Sequence, residues 1–499
     1  MIQLTHKPYF VFLKQKTKSA KTRYAMTKSI NIKKKKRIDF TEGPLFWRLL
    51  LFAAPIAATG LLQMLYNATD KLVVGQFSGD PNALGAIGCT ATLGALIINF
   101  MAGIGGGVGV VVAQLFGGKR YEETSRAVHT ALLFGLVLSL SLTAVGYLTL
   151  EPMLRLLGTQ DVYMEKAILY LRITYVGITA TAIYNFGASV LRATGDSRTP
   201  LLIGATSGLI NVIFNLFFVC VFKMSVDGVA IATVISQYFS ATAVIVILMR
   251  RKGECYQFSF KKLAIDKRLL ARIVRIGVPT GLQSCCFSIT NLITVSAVNS
   301  FEVHYVTAFS ISSTIDGFLD VISGSFLQSA MNATGQNYGA FKPERIKRVF
   351  LFSVTQAAAV VFIISATMRI FRAEIAGIFV ESGAAERELV IAAVVEWTGI
   401  MLATYFMQSV MNAVFGTVRG LGYSILPLVF NLIGTCFTRI FYIYVIFPLE
   451  PFHTFGGLAL LYPVSWTAAS LMLSVIVVIA FKRIREMQKK AEQNEEITA

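Results

Sequence analysis

The chain has 499 residues, 55% of them hydrophobic and 15% charged, with a mean hydropathy of +0.64. That balance excludes an ordinary soluble domain of this size and makes lipid the natural solvent. The formal net charge of +19 raises nucleic-acid binding, and the placement of the basic residues decides against it.

In chain order, residues 1–44 read as a basic cytoplasmic tail. Its apolar patch, Tyr9 to Leu13, is too brief for a signal-peptide core, and a start at Met26 would leave the rest of the reading unchanged. Twelve apolar stretches follow, each about as long as a helix needs to cross roughly 30 Å of hydrocarbon. They lie near 49–76, 83–116, 127–150, 166–190, 200–222, 228–249, 273–300, 306–336, 349–371, 389–415, 427–447 and 457–481. The first six make an N-lobe (45–250) and the last six a C-lobe (271–482), with a cytoplasmic linker at 251–270 and a second tail at 483–499. With both ends in the cytoplasm, 37 of the 46 Lys and Arg residues fall on that side, the run Lys33 to Arg37 among them. This is the positive-inside signature of a multi-pass protein of the cell membrane, with some attraction to anionic lipid. The fold class expected is all-α integral membrane, and the expected state is a monomer.

A shift of a little over 220 residues superimposes the two halves. Pro55 meets Pro279 and Asn67 meets Asn291; Gln114, Gly117 and Glu122 meet Gln336, Gly339 and Glu344. LRATGDSRTP (Leu191 to Pro200) meets VRGLGYSILP (Val418 to Pro427). Six spans per half is an even number, so the halves are parallel repeats with any cavity between them, an arrangement suited to alternating access. No nucleophile and base pair, metal cluster or phosphate loop stands out, so no enzyme, cofactor or resident metal is expected. The six cysteines and four histidines are scattered. GIGGGVG (Gly103 to Gly109) lies in a span and reads as close helix packing, while Asn67-Ala68-Thr69 and Asn332-Ala333-Thr334 are discounted as glycosylation sites because they too lie in spans.

Ionisable residues inside a membrane are expensive, which makes the few present the first candidates for function. They are Asp70, Lys71, Arg172, Asp316, Asp320, Glu396 and Arg439. Counting 1.5 Å per residue places Asp70 about 10 Å below the outer end of span 1, with Asn215 of span 5 at the same depth. Asn211 lies one turn deeper on the same face of span 5, and Thr233 of span 6 and Tyr170 of span 4 reach similar levels. These five are the candidate ion-coupling site. A desolvated carboxylate there could exchange protons near neutral pH, or could bind Na⁺ together with amide and hydroxyl oxygens. Asp316 and Asp320 lie one turn apart in span 8 and could present negative charge to a cationic substrate; pairing with Arg439 is the alternative. Gln283 and Glu396 complete the candidate substrate contacts. Lys71 points about 100° away from Asp70 and is not expected to pair with it.

PIAATGLLQMLYNATDKLVVGQF (Pro55 to Phe77), VLRATGDSRTPLL (Val190 to Leu202), DGVAIATVISQ (Asp227 to Gln237) and GQNYGAFKPERIKR (Gly335 to Arg348) together resemble the multidrug and toxic compound extrusion (MATE) family, over roughly Trp47 to Phe481. The resemblance implies a V-shaped pair of six-helix lobes exchanging a proton or sodium ion for an organic, often cationic, substrate. It also implies that Asp70 is the family's span 1 aspartate, with Asn211, Thr233 and Tyr170 its polar neighbours. At Asn215 many relatives carry a second aspartate, so a single carboxylate remains here. The carboxylates that some sodium-coupled relatives carry in spans 7 and 10 fall at Phe287 and Gln408, and Thr294 stands opposite Asp70 in the repeat. Coupling is therefore expected in the first lobe. The function expected is a cation-coupled antiporter exporting organic compounds, with a flippase for lipid-linked oligosaccharides as the alternative. Its partners would be a small organic substrate and membrane lipid, and no nucleic acid.

Overall fold

The computed structural model describes residues 37–380 and 386–496; Tyr9 to Leu13, Met26 and residues 33–36 of the basic run lie outside them. The first half consists of α1 (Leu45–Phe77), α2 (Ala83–Gly117), α3 (Tyr121–Leu156), α4 (Asp161–Val176), α5 (Ile178–Ala193), α6 (Arg198–Leu216) and α7 (Val226–Arg250). The second consists of α8 (Lys267–Val298), α9 (Val303–Gly339), α10 (Pro343–Ile370), α11 (Arg372–Phe379), α12 (Arg387–Gly420), α13 (Ile425–Asn431), α14 (Thr438–Phe441), α15 (Phe455–Ala459) and α16 (Leu461–Glu496). No strand occurs among the described residues.

Ten helical segments are long and apolar enough to cross a bilayer alone, and α4 with α5, bent by 44°, makes an eleventh. The bend falls at Gly177, where the Gln237 side chain of α7 presses so close that an added Cβ would lie 1.7 Å from its Oε1. A side chain wedged against the helix ladder is an ordinary cause of a kink. The twelfth expected span is α9, which is 37 residues long but carries Asp316, Asp320, Asn332 and Gln336. Its apolar character falls short because much of it packs on protein, chiefly α12, α2 and α1. The eleventh span is irregular: π-helical turns at Leu432–Phe437 and Tyr442–Ile446 flank α14, which carries Arg439.

Helix ends follow local chemistry. Asp266 caps α8 by accepting from the N–H groups of Arg268 and Leu269 at 3.0 and 3.2 Å. Pro343 opens α10, where its missing N–H costs nothing.

Within the halves, α2 packs on α5 and α1 on α6, while α9 packs on α12 and α12 on α10 and α16. Across the seam, α2 packs on α8 and α9, and α1 on α9 and α10. The seam is a backbone contact. An added Cβ on Gly103 would lie 2.4 Å from Gly281 Cα, and one on Gly107 2.6 Å from Gly277 Cα, so the glycine run of α2 lies directly against α8. At the basic-loop end, a Cβ on Gly339 would lie 1.8 Å from Gln114 O. These close approaches continue as far as Gly60 with Val321 and Phe100 with Gly281, near the middle of the helices.

Beyond that level the halves still touch on the side away from the basic loops. Gly317 of α9 faces Met64 of α1, at 3.0 Å from an added Cβ to Met64 Cε. Asn67 and Lys71 follow Met64 at the spacing of one helix face, and both are exposed. Ser310, Ser313 and Asp320 share the Gly317 face of α9 and are exposed as well.

Candidate functional site

The outer half of α1 packs on α6, where Tyr66 donates its hydroxyl to Ala205 O at 3.1 Å. One turn beyond Tyr66, Asp70 comes off the same face and meets α6 again. Asn215 donates Nδ2 to Asp70 Oδ1 and also to Asn211 Oδ1 at 3.3 Å, and Asn211 in turn donates to Thr233 Oγ1 at 3.4 Å. A carboxylate, two amides and a hydroxyl thus form one hydrogen-bonded chain across α1, α6 and α7. Tyr170 of α4 packs against the apolar cluster that includes Val73 and Val74 of α1. Hydrogen bonds thus join four of the five candidate coupling residues, and Lys71 is exposed.

The chain is not saturated. Asn215 is fully buried, yet its Oδ1 has no hydrogen-bond partner among the described residues. A buried carbonyl oxygen without a partner is costly, and here it lies beside a carboxylate. Carboxylate, amide and hydroxyl oxygens are hard donors suited to a proton or Na⁺ and poorly suited to soft metals. Among the described residues, no group of three or more His, Cys, Asp and Glu could hold a metal ion.

In the second half the candidate substrate residues divide. Asp316 turns inward, its Oδ1 accepting from the Tyr405 hydroxyl at 2.8 Å. Asp320 accepts from Gln408 Nε2 at 3.1 Å and stays exposed. Arg439 is buried over the rings of Phe287 and Tyr462, at 5.4 and 4.8 Å from their centroids, and donates to Ser465 Oγ and Asn291 Oδ1, both at 3.2 Å.

Two other expected substrate contacts bond within the second half. Gln283 is buried and its Oε1 accepts from Arg419 Nη2 at 2.7 Å, so it is engaged inside the second half. Glu396 Oε1 accepts from the Gly456 N–H at 2.9 Å and holds the start of α15. It lies nine residues, about 13 Å along α12, toward the outer end from the Asp316 partner Tyr405. Sequence reasoning singled out Lys71 but not Asn67 as a functional candidate, although the two lie one turn apart on one exposed face of α1.

Two six-helix halves, packed on their small residues, with a carboxylate–amide chain between helices of the first, have the organisation of a membrane transporter. The MatE family model matches residues 55–217 and 279–445, and the chain belongs to the multidrug and toxic compound extrusion family. It is 28% identical over 311 residues, 62% of this chain and 69% of the relative, to a Bacillus subtilis protein named "Probable multidrug resistance protein YpnP". It is 26% identical to a Shewanella oneidensis "FAD transporter", over 62% of this chain and 68% of that one. The multidrug export protein MepA of Staphylococcus aureus is 22% identical over 65% of this chain and 71% of its own. Among solved structures, an outward-facing multidrug resistance MATE transporter superposes with a TM-score of 0.82 at 18% identity, covering 91% of this chain and 99% of its own. A transporter from Pyrococcus furiosus, described as having a binding pocket of reverse polarity, superposes at 0.81 with 19% identity, covering 91% and 99%. At such identities these structures support the fold alone.

Proposed function

We propose that the chain is a cation-coupled antiporter of the plasma membrane, with both termini in the cytoplasm, that exports organic cations or amphipathic compounds by alternating access. The observation that carries this reading is the Asp70–Asn215–Asn211–Thr233 chain with its unpartnered Asn215 oxygen, a ready seat for one small cation. Occupancy of that seat changes the charge where α1 meets α6. An ion that binds one conformation better than the other shifts their populations by its difference in affinity. The coupling ion is H⁺ or Na⁺, and the site is neutral in its other ligands, so a single positive charge balances it.

Asp320, exposed on the face of α9 that carries Gly317, supports a cationic group on the substrate. Three named relatives are multidrug or cofactor transporters, which favours small-molecule export over flipping of a lipid-linked oligosaccharide. The test is accumulation of ethidium in inverted vesicles under an imposed H⁺ or Na⁺ gradient. Accumulation that collapses with one of these gradients is expected; uptake indifferent to both would defeat the proposal.

A further inference from the structure

The basic-loop end of the seam is closed by a crossed pair of amides. Gln114, near the end of α2, donates Nε2 to Gly420 O, and Gln336, near the end of α9, donates Nε2 to Ala193 O, each at 2.8 Å. Gln114 and Gln336 are equivalents in the internal repeat, as are Ala193 and Gly420, so one bond is made twice in opposite directions. Ala193 and Gly420 are the last residues of α5 and α12, and the carbonyls at helix ends lack a helical partner. Each glutamine thus satisfies an orphan acceptor of the opposite half, and both side chains are buried.

The symmetry breaks at the glutamine oxygens. Gln114 Oε1 accepts from Arg272 Nη2 at 2.9 Å, whereas Gln336 Oε1 accepts from the backbone N–H of Phe40 at 3.1 Å. Phe40 belongs to a strap, Ile38 to Gly43, that precedes α1. Ile38 N–H donates to Gly195 O of the first half at 3.0 Å. Apart from Arg48 of α1, which donates to Asp39 O and Glu42 O, the remaining ties run to the second half. Phe40 O accepts from Asn337 at 3.0 Å and Arg345 at 2.9 Å, Thr41 O from Lys342 at 2.8 Å, and Glu42 O and Gly43 O from Arg345 at 2.9 and 3.1 Å. The Phe40 ring is fully buried, edge-on to Phe52 at 5.1 Å. Gly195 has φ +89°, and a Cβ there would lie 2.1 Å from Ile38 O, so the strap rests on bare backbone of the first half.

We propose that Ile38–Gly43 is a latch that holds the basic-side ends of the two halves together and must release for that face to open. Separation of the halves breaks the Gln336 bond to Ala193 and the Ile38 bond to Gly195 together. Without the strap, Gln336 Oε1 is a buried acceptor with no donor until water enters the seam, so its loss favours the opened face. The latch is continuous with α1, which carries Asp70, so a movement of that helix reaches both ends of the molecule. That last step rests on the alternating-access reading; the latch itself does not.

The test uses the full chain with its native cysteines replaced, reconstituted in nanodiscs and spin-labelled at Glu122→Cys and Glu344→Cys, two exposed residues flanking the seam on either half. The parent should give one short distance by pulsed electron resonance. Phe40→Ala and Arg345→Ala should each add a longer-distance population, several-fold above the parent. Arg345→Ala keeps the test standing if Phe40→Ala fails to fold, because it leaves the apolar contacts intact. Parent-like distances in folded variants would overturn the latch and leave the export reading untouched. Longer distances in variants of a parent that moves no ethidium would sustain the latch and sink the export reading.

Discussion

Pro55 and Asp70 lie fifteen residues apart on α1, yet the helix answers to a different half of the molecule at each. Below Pro55, Phe46 O and Leu49 O accept from Gln356 and Ser329 of the second half, at 2.7 and 3.0 Å. Above it, Tyr66 and Asp70 bond to α6 of the first half. Pro55 has no N–H to offer Leu51 O, so the helix is weakest where it changes sides.

Pro55→Ala restores that hydrogen bond and stiffens the crossing. One such bond is worth about 1 kcal/mol, so a step that bends α1 should slow by roughly fivefold. Ethidium efflux rates measured beside ion affinity check it: the rate should fall with affinity held, and a rate equal to the parent's would show that α1 does not flex there.

Asn215→Asp places a second carboxylate beside Asp70, and two adjacent anions favour retaining an extra cation. The number of ions exchanged per substrate should rise, as read from the reversal potential in proteoliposomes. Asn215→Ala should instead lower Na⁺ affinity, because it removes the free oxygen.

Asp320→Asn and Glu396→Gln separate an exposed charge of α9 from a helix cap. The first should weaken inhibition by monovalent organic cations by about tenfold, the scale of one lost charge contact of roughly 1.4 kcal/mol. Glu396→Gln keeps the oxygen that accepts from Gly456, so inhibition constants should stay at the parent value.

Gly107→Leu forces a side chain into the α8 backbone. Overpacking of this kind costs about 1–3 kcal/mol, so the melting temperature in detergent should drop by several degrees, while Gly88→Leu, with open space around it, should leave it nearly unchanged.

At the outer rim, Lys166 Nζ lies 2.6 and 2.5 Å from the two Asp80 oxygens and Ser225 donates to Oδ2 at 2.7 Å. The Lys166 bond, and then that from Ser225, hold the Asp80 carboxyl below its usual range. Its contribution to stability is therefore complete above the ordinary aspartate value of about 3.9 and is lost as pH falls through the lowered one. Thermal melts from pH 7 to pH 3 should show an acid-side decline that is shallower in Asp80→Asn.

Apolar length located the spans, and equal spacing of Pro, Gln, Gly and Arg revealed the repeat, because both are written along the chain. Depth counting brought Asp70, Asn211, Asn215, Thr233 and Tyr170 to one level, since a straight helix converts residue number into height. Direction around the helix was harder. That Asp316 turns to Tyr405 while Asp320 stays exposed depends on where α12 sits. The break at Gly177 required knowing that Gln237 presses there, and Glu396 required the fold of the α14–α15 loop. The strap from Ile38 to Gly43 looked like tail because its bonds are made by backbone groups, which leave no side-chain pattern.

Charge movement tests the central claim most directly. Proteoliposomes adsorbed on a solid-supported membrane and given a step in H⁺ or Na⁺ concentration should produce a transient current in the parent that vanishes in Asp70→Asn. Currents of equal size in the two proteins would contradict the assignment of ion coupling to this carboxylate.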